Sequence, residues 1–216
     1  MNFKVLLKGI MAGICISLGG WLFITCRANL ENGLLIGSLF FTIGLMLICN
    51  FDYFLYTGRI CFLFVKEEKN IKTKIIELLI GLVGNFIGCL LMGLILGLVS
   101  EESNEMVKYI IVLISKAKAE NSILKILITS FFCGIFVFLA VKGFKTFENV
   151  ILKHLAVLIC ISCFILAGFE HCVANMFYMV IARAFDSATI INLLLCIVGN
   201  SLGGLFLPMI NSILKK

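Results

Sequence analysis

Proline is almost absent, one residue in 216, and charge is scarce, with Asp, Glu, Lys and Arg making up only 14%. A soluble domain carries about 25% charged residues, so this shortage excludes one. No long polar stretch leaves room for a second domain, and a single unit over 1–216 is expected. Histidine occurs twice and tryptophan once. There is no P-loop, no dinucleotide fingerprint and no H-E-x-x-H, which removes the sequence basis for nucleotide-driven pumping or zinc proteolysis. The first apolar run, Val5 to Thr25, lacks a small-residue cleavage site and reads as a span, not a leader.

What remains is compatible with lipid. Hydrophobic residues reach 62%, mean hydropathy is +1.15 and the net charge is +6. The composition is that of a polytopic membrane protein. Ten cysteines are irregularly spaced and mostly sit in apolar runs, where they act as small hydrophobes. Cys160, Cys163, His171 and Cys172 are of metal-ligand type, yet His171 lies about two helical turns past Cys163, too far to close a tetrahedral site. No metal, cofactor, enzymatic activity or nucleic-acid partner is expected.

Six runs are long enough to cross a bilayer: about Val5–Cys26, Gly33–Phe64, Lys74–Val99, Ile123–Val141, Val150–Phe185 and Thr189–Leu214. The second and fifth are too long, since straight helices would reach about 48 and 54 Å. Each also carries polar residues partway along, Asn50, Asp52 and Thr57 in one, Glu170, His171 and Asn175 in the other. Two broken helices account for both facts, with irregular backbone at membrane depth tolerated where it lines a cavity or is buried in protein. With both termini inside, the cytoplasmic side holds Lys4, Lys8, Arg59, Lys66, Lys69, Lys72, Lys74, Lys142, Lys145, Lys153, Lys215 and Lys216. The outer side holds Arg27, Lys108, Lys116, Lys118, Lys125 and Arg183. That imbalance predicts cytoplasmic termini in a cell membrane.

The chain also reads as two halves, about 1–99 and 123–216, joined by an extracytoplasmic loop at 100–122. Gly84-Asn85-Phe86-Ile87-Gly88 matches Gly199-Asn200-Ser201-Leu202-Gly203, and Ala12-Gly13-Ile14 matches Cys133-Gly134-Ile135. Three spans per half place the halves in opposite orientations, an inverted 3+3 repeat. Paired interrupted segments in such repeats point to a midplane binding site. Gly88, Gly93, Gly97 and Gly203 read as close helix packing. Asn85 and Asn200 read as structural donors to the broken backbone.

Gly168-Phe-Glu-His-Cys-Val-Ala-Asn-Met-Phe177, Gly44-Leu45, Leu55-Tyr56-Thr57-Gly58 and the two Gly-Asn-x-x-Gly signatures together resemble the formate/nitrite transporter family, in a divergent branch. The resemblance implies an aquaporin-like six-helix protomer, one pore per subunit and a homopentamer. It also implies that His171 is the pore histidine and Thr57 the threonine of the interrupting loop. Phe41, Leu45, Leu55, Tyr56, Val137 and Phe164 fall where that family builds its constrictions. Lys4, Lys118 and Lys153 fall near its anion-attracting lysines. Two departures stand out: Gly134 occupies the place of a usual asparagine, and Tyr56 that of a phenylalanine. Little chain precedes the first span, so gating by an N-terminal amphipathic segment is not expected.

A small anion entering an apolar slit loses its hydration at high cost. Vestibule cations, half-helix ends and an imidazole between constrictions can each offset part of it. The expected function is a channel for small monovalent weak-acid anions, formate or nitrite first. Hydrosulfide or another short monocarboxylate is the alternative, as is a non-transporting protein that kept the fold. Asn175, one turn past His171, is placed either to orient the imidazole or to cap the following helix. Glu170 is expected to hold the break together by accepting backbone N–H groups.

Overall fold

The computed structural model describes residues 2–65 and 70–214. Lys66, Lys69, Lys215 and Lys216, counted above for orientation, lie outside the described residues. The helices are α1 (Asn2–Asn29), α2 (Gly33–Asn50), α3 (Tyr56–Ile60), α4 (Ile71–Glu101), α5 (Glu105–Ala119), α6 (Ile123–Thr146), α7 (Val150–Leu166), α8 (Cys172–Ile181) and α9 (Ser187–Leu214). Five of them, α1, α2, α4, α6 and α9, are long and apolar enough to cross a membrane. The chain is an all-α, multi-pass membrane protein. The long run after Gly33 resolves into α2 and α3, and the run after Val150 into α7 and α8.

Four helices start where the sequence supplies an Asn or Ser cap. Asn70, Asn104, Ser122 and Asn149 accept from backbone N–H groups in the first turns of α4, α5, α6 and α7, satisfying donors that a helix start leaves orphaned. The ends of α2 and α7 have local causes as well. Asp52 and Gly168 adopt positive φ, 52° and 69°; Gly168 does so without the Cβ penalty. Asp52 is held in place by Lys8 and Arg59, whose Nζ and Nη2 each lie 2.5 Å from its carboxylate.

Two tight helix pairs dominate the packing. α1 lies on α4 and α6 on α9, while α2 leans on α1 and α7 on α6. The glycines set these approaches. A Cβ on Gly13 would sit 2.2 Å from the Asn85 carbonyl oxygen, and one on Gly134 would sit 2.4 Å from that of Asn200. Gly134 therefore has no room for any side chain, and the asparagine expected there by resemblance cannot be accommodated. Gly203 is tighter still, its Cβ position 1.8 Å from the Phe131 oxygen, whereas Gly97 meets nothing within 4 Å. The close-packing expectation thus fails for Gly97 within this chain: it faces an apolar groove with Gly93, Leu94 and Leu98.

These two glycines make a paired test. Gly203→Ala is expected to lower stability by about 1–3 kcal/mol through overpacking, read as a fall in Tm in detergent. Gly97→Ala should hold or raise Tm, because alanine favours helix by up to about 1 kcal/mol. Equal shifts in the two variants would show that backbone approach is not what selects glycine in α9.

Candidate functional site

The segments 51–55 and 167–171, between paired helices, are where backbone groups most need partners. Two buried asparagines supply them. Asn85 in α4 donates from Nδ2 to the Gly9 and Phe54 oxygens, 2.9 and 2.8 Å, and accepts from Tyr56 N–H at 2.9 Å. Asn200 in α9 donates to the Ser130 and Glu170 oxygens, both at 2.8 Å, and accepts from Cys172 N–H at 2.8 Å. Each amide thus stitches one intervening segment to the neighbouring long helix with three bonds. Both are fully buried.

This stitching brings Thr57 and His171 together, 114 residues apart in sequence. Thr57 Oγ1 lies 2.9 Å from His171 Nε2; the two residues are 0% and 3% exposed. The other ring nitrogen has a defined task. His171 is the N-cap of α8, and Nδ1 accepts from Ala174 N–H at 3.2 Å. A backbone N–H can donate only to an unprotonated Nδ1, which assigns the proton of the neutral ring to Nε2. Nε2–H therefore donates to Thr57 Oγ1, and the threonine hydroxyl keeps its own hydrogen available for another acceptor.

Apolar rings enclose this pair. Phe164 stacks at 6.0 Å on the imidazole and meets Phe41 edge-on at 6.3 Å. On one side, Phe41, Phe164 and His171 line a cavity of about 340 Å³ that opens beside α5. On the other, Leu45, Leu55, Gly58 and Val141 line a recess of about 100 Å³ with Asp52, Arg59 and Lys145. Val137 is buried but lines neither space. Tyr56, expected at a constriction, also lines neither: its hydroxyl is 2.8 Å from Ser201 Oγ, which itself donates to the Ile197 oxygen. The extra phenol is thereby engaged with α9.

The lysines divide. Lys4 is exposed on the first turn of α1, and Lys153 sits 5.7 Å over the Phe144 ring. Lys118, on the α5-side cavity, is ion-paired with Glu170 at 2.6 Å. Glu170 is a correction: its carboxylate takes side-chain donors, Lys118, Asn121 at 3.2 Å and Asn175 at 2.7 Å, where backbone N–H groups were expected. Asn175 neither orients the imidazole nor caps α8. It donates to Glu170 and to Asn192 Oδ1 at 3.1 Å, and its own Oδ1 has no partner among the described residues. Asn192, in turn, donates to the Lys118 carbonyl oxygen at 3.0 Å. Sequence reading missed Asn192 and Asn121, although Asn192, three residues past the start of the Thr189–Leu214 run, was a visible signal. Among the described residues no group of three metal-ligating side chains converges, and the cysteines are free.

At the other end, His154 stands with Nδ1 2.8 Å from the Val150 oxygen and Nε2 3.1 Å from Asn50 Nδ2, an α7-to-α2 link away from both lined spaces.

A sequence profile described as "Formate/nitrite transporter" matches residues 2–213. The formate channel FocB of Escherichia coli (strain K12) is 26% identical over 190 residues, covering 84% of this chain and 67% of the relative. The formate channel FocA of Haemophilus influenzae is 27% identical over 184 residues, covering 81% and 65%. Among solved structures, a "pentameric formate channel with formate bound" superposes with a TM-score of 0.88 at 22% identity, covering 99% of this chain and 97% of that one. An "FNT family ion channel" gives 0.89 at 24% identity, covering 99% and 90%.

Proposed function

Because this chain belongs to the formate/nitrite transporter family, we propose that it conducts small monovalent weak-acid anions, formate or nitrite, past the Thr57–His171 pair. That contact between a buried hydroxyl and a buried imidazole, flanked by apolar rings and spaces on two sides, is the observation that carries the reading. Each half contributes one member of the pair. The α2–α3 and α7–α8 pairs each count as one interrupted crossing, so that six spans form an inverted 3+3 repeat of aquaporin-like design. The matching bonds of Asn85 and Asn200 support it. In this reading 1–216 is one channel domain, both termini are cytoplasmic, and α5 lies outside. The exposed apolar side chains of α4 and α9, such as Leu94, Leu98, Leu194 and Leu202, then face lipid or sister subunits of a homopentamer.

The mechanism follows from which hydrogens are free. An anion between Phe41 and Leu45 has lost water and needs donors. The Thr57 hydroxyl offers one, and Nε2–H offers another by exchanging its threonine partner for the anion. His171 works here as a neutral hydrogen-bond donor. To take up a proton on Nδ1 it must first release Ala174 N–H and uncap α8. A proton that crosses with the anion is therefore best carried on the substrate, as the neutral acid. The engaged Tyr56 hydroxyl removes one argument for hydrosulfide, since that phenol is not offered to the pore.

The test is a stopped-flow liposome panel of formate, nitrite, hydrosulfide, acetate and lactate at two pH values. Formate and nitrite should pass fastest, lactate slowest, with flux rising as pH falls. Protein-free rates for every anion would establish a non-transporting protein, and a hydrosulfide rate well above formate would shift the substrate assignment.

A further inference from the structure

Resting on that channel reading, we infer that the α5-side cavity contains an anion-collecting subsite built by Arg27 and Tyr178, selective for planar two-oxygen anions. Three cations line this cavity, Arg27, Lys118 and Lys125, against a single carboxylate, Glu170. Lys118 and Glu170 neutralise one another at 2.6 Å, and two asparagine amides complete the carboxylate's coordination. The cation expected from resemblance to gather anions is thus already committed. Arg27, half-buried in the last turn of α1, makes no hydrogen bond or ion pair among the described residues. Its place at a helix C-terminus suits the macrodipole but does not require it to line a cavity. Lys125 is exposed at the rim.

Tyr178 is the second, independent observation. It is only 8% exposed and lines the same cavity, yet its hydroxyl has no hydrogen-bond partner among the described residues. The hydroxyl is not among the polar atoms sealed from solvent, so it stands open to the cavity as a free donor. Its ring packs under Lys118 Nζ, 5.6 Å from the centroid, and it shares the cavity wall with Arg27. Glu170 is occupied by Lys118 and two asparagine amides, so the charges left to meet an incoming ligand are the Arg27 guanidinium inside the cavity and the Lys125 ammonium at its exposed rim.

The chemistry of the two groups names the ligand. A guanidinium presents parallel N–H groups at the spacing of two oxygens on one carbon or nitrogen. The phenol adds a single O–H donor. Formate and nitrite satisfy both; chloride and hydrosulfide have no second oxygen for the fork. The cavity leads to His171 on the same wall, so an anion held by Arg27 waits on the path to the Thr57 hydroxyl.

The test pairs binding with flux. [¹³C]Formate line broadening is titrated against purified protein in detergent for wild type, Arg27→Gln, Arg27→Lys, Tyr178→Phe and Lys108→Gln. Lys108 is a cation in the first turn of α5 that does not line the cavity. Formate flux into liposomes is then measured for each at low and high salt, with Tm as the folding check. Arg27→Gln should raise half-saturation about tenfold at low salt and less at high salt, as expected for a lost charge-assisted bidentate contact. Arg27→Lys should retain the salt dependence but lose preference for formate over chloride. Tyr178→Phe should raise half-saturation about threefold at both salts, and Lys108→Gln should match wild type. Unchanged binding in folded Arg27→Gln and Tyr178→Phe overturns the subsite and leaves the hydroxyl to solvent alone. A wild type that binds formate but passes no anion overturns the channel reading instead.

Discussion

Replacing His171 with phenylalanine is expected to cut formate flux into liposomes by roughly ten- to a hundredfold, because a donor to a desolvated anion contributes about 1.5–3 kcal/mol and each 1.4 kcal/mol is a factor of ten. The change removes two things at once. Nε2–H is lost as a donor to Thr57 or to the anion, and Nδ1 is lost as the acceptor that caps α8. A cap alone is worth about 1 kcal/mol of stability, so a fall in Tm is expected alongside the fall in flux. His171→Asn separates the two effects, since asparagine is a strong N-cap residue: Tm should recover while flux stays low. Thr57→Val, which keeps the shape and deletes the hydroxyl, should cost about tenfold. Wild-type flux and unaltered pH dependence in folded His171→Phe would remove the imidazole from the conduction pathway.

The second large effect is on folding. Asn200→Leu should destabilise the protein by about 3–9 kcal/mol, because Cys172 N–H and the Ser130 and Glu170 oxygens each lose a partner in a buried setting where an unmade bond costs about 1–3 kcal/mol. Asn85→Leu strands Tyr56 N–H and the Gly9 and Phe54 oxygens in the same way, and a similar loss is expected. The measurement is Tm in detergent for both variants. A loss confined to one asparagine would break the equivalence of the halves on which the inverted repeat rests. Near-native Tm in both would mean that water or relaxed backbone satisfies those groups.

Several features were legible before any coordinates. Asn50, Asp52 and Thr57 in one overlong run, and Glu170, His171 and Asn175 in the other, are polar residues set in apolar sequence, and α2 and α7 end at Asn50 and Leu166. Asn85 and Asn200 were read as donors to irregular backbone because an amide buried in an apolar run needs partners, and backbone outside a helix supplies them. Glu170 was misread in its partners. Sequence distance hides Lys118, 52 residues away, and helix α5 delivers that ammonium to the carboxylate only through packing. The departure at Gly134 has its reason at the same distance: the oxygen that forbids a side chain there belongs to Asn200.

By itself the amino-acid order determined the solvent and the helical class, since hydropathy and caps act over a few residues. Only tertiary structure decided which polar groups meet. The tautomer of His171 follows from Ala174 N–H and the identity of its Nε2 partner from Thr57, and the neutralisation of Lys118 by Glu170 leaves Arg27 as the uncommitted guanidinium. Hydrogen bonds and ion pairs act within about 3 Å, whereas their partners here are separated by up to 114 residues. Spacing along the chain carries no information at that range.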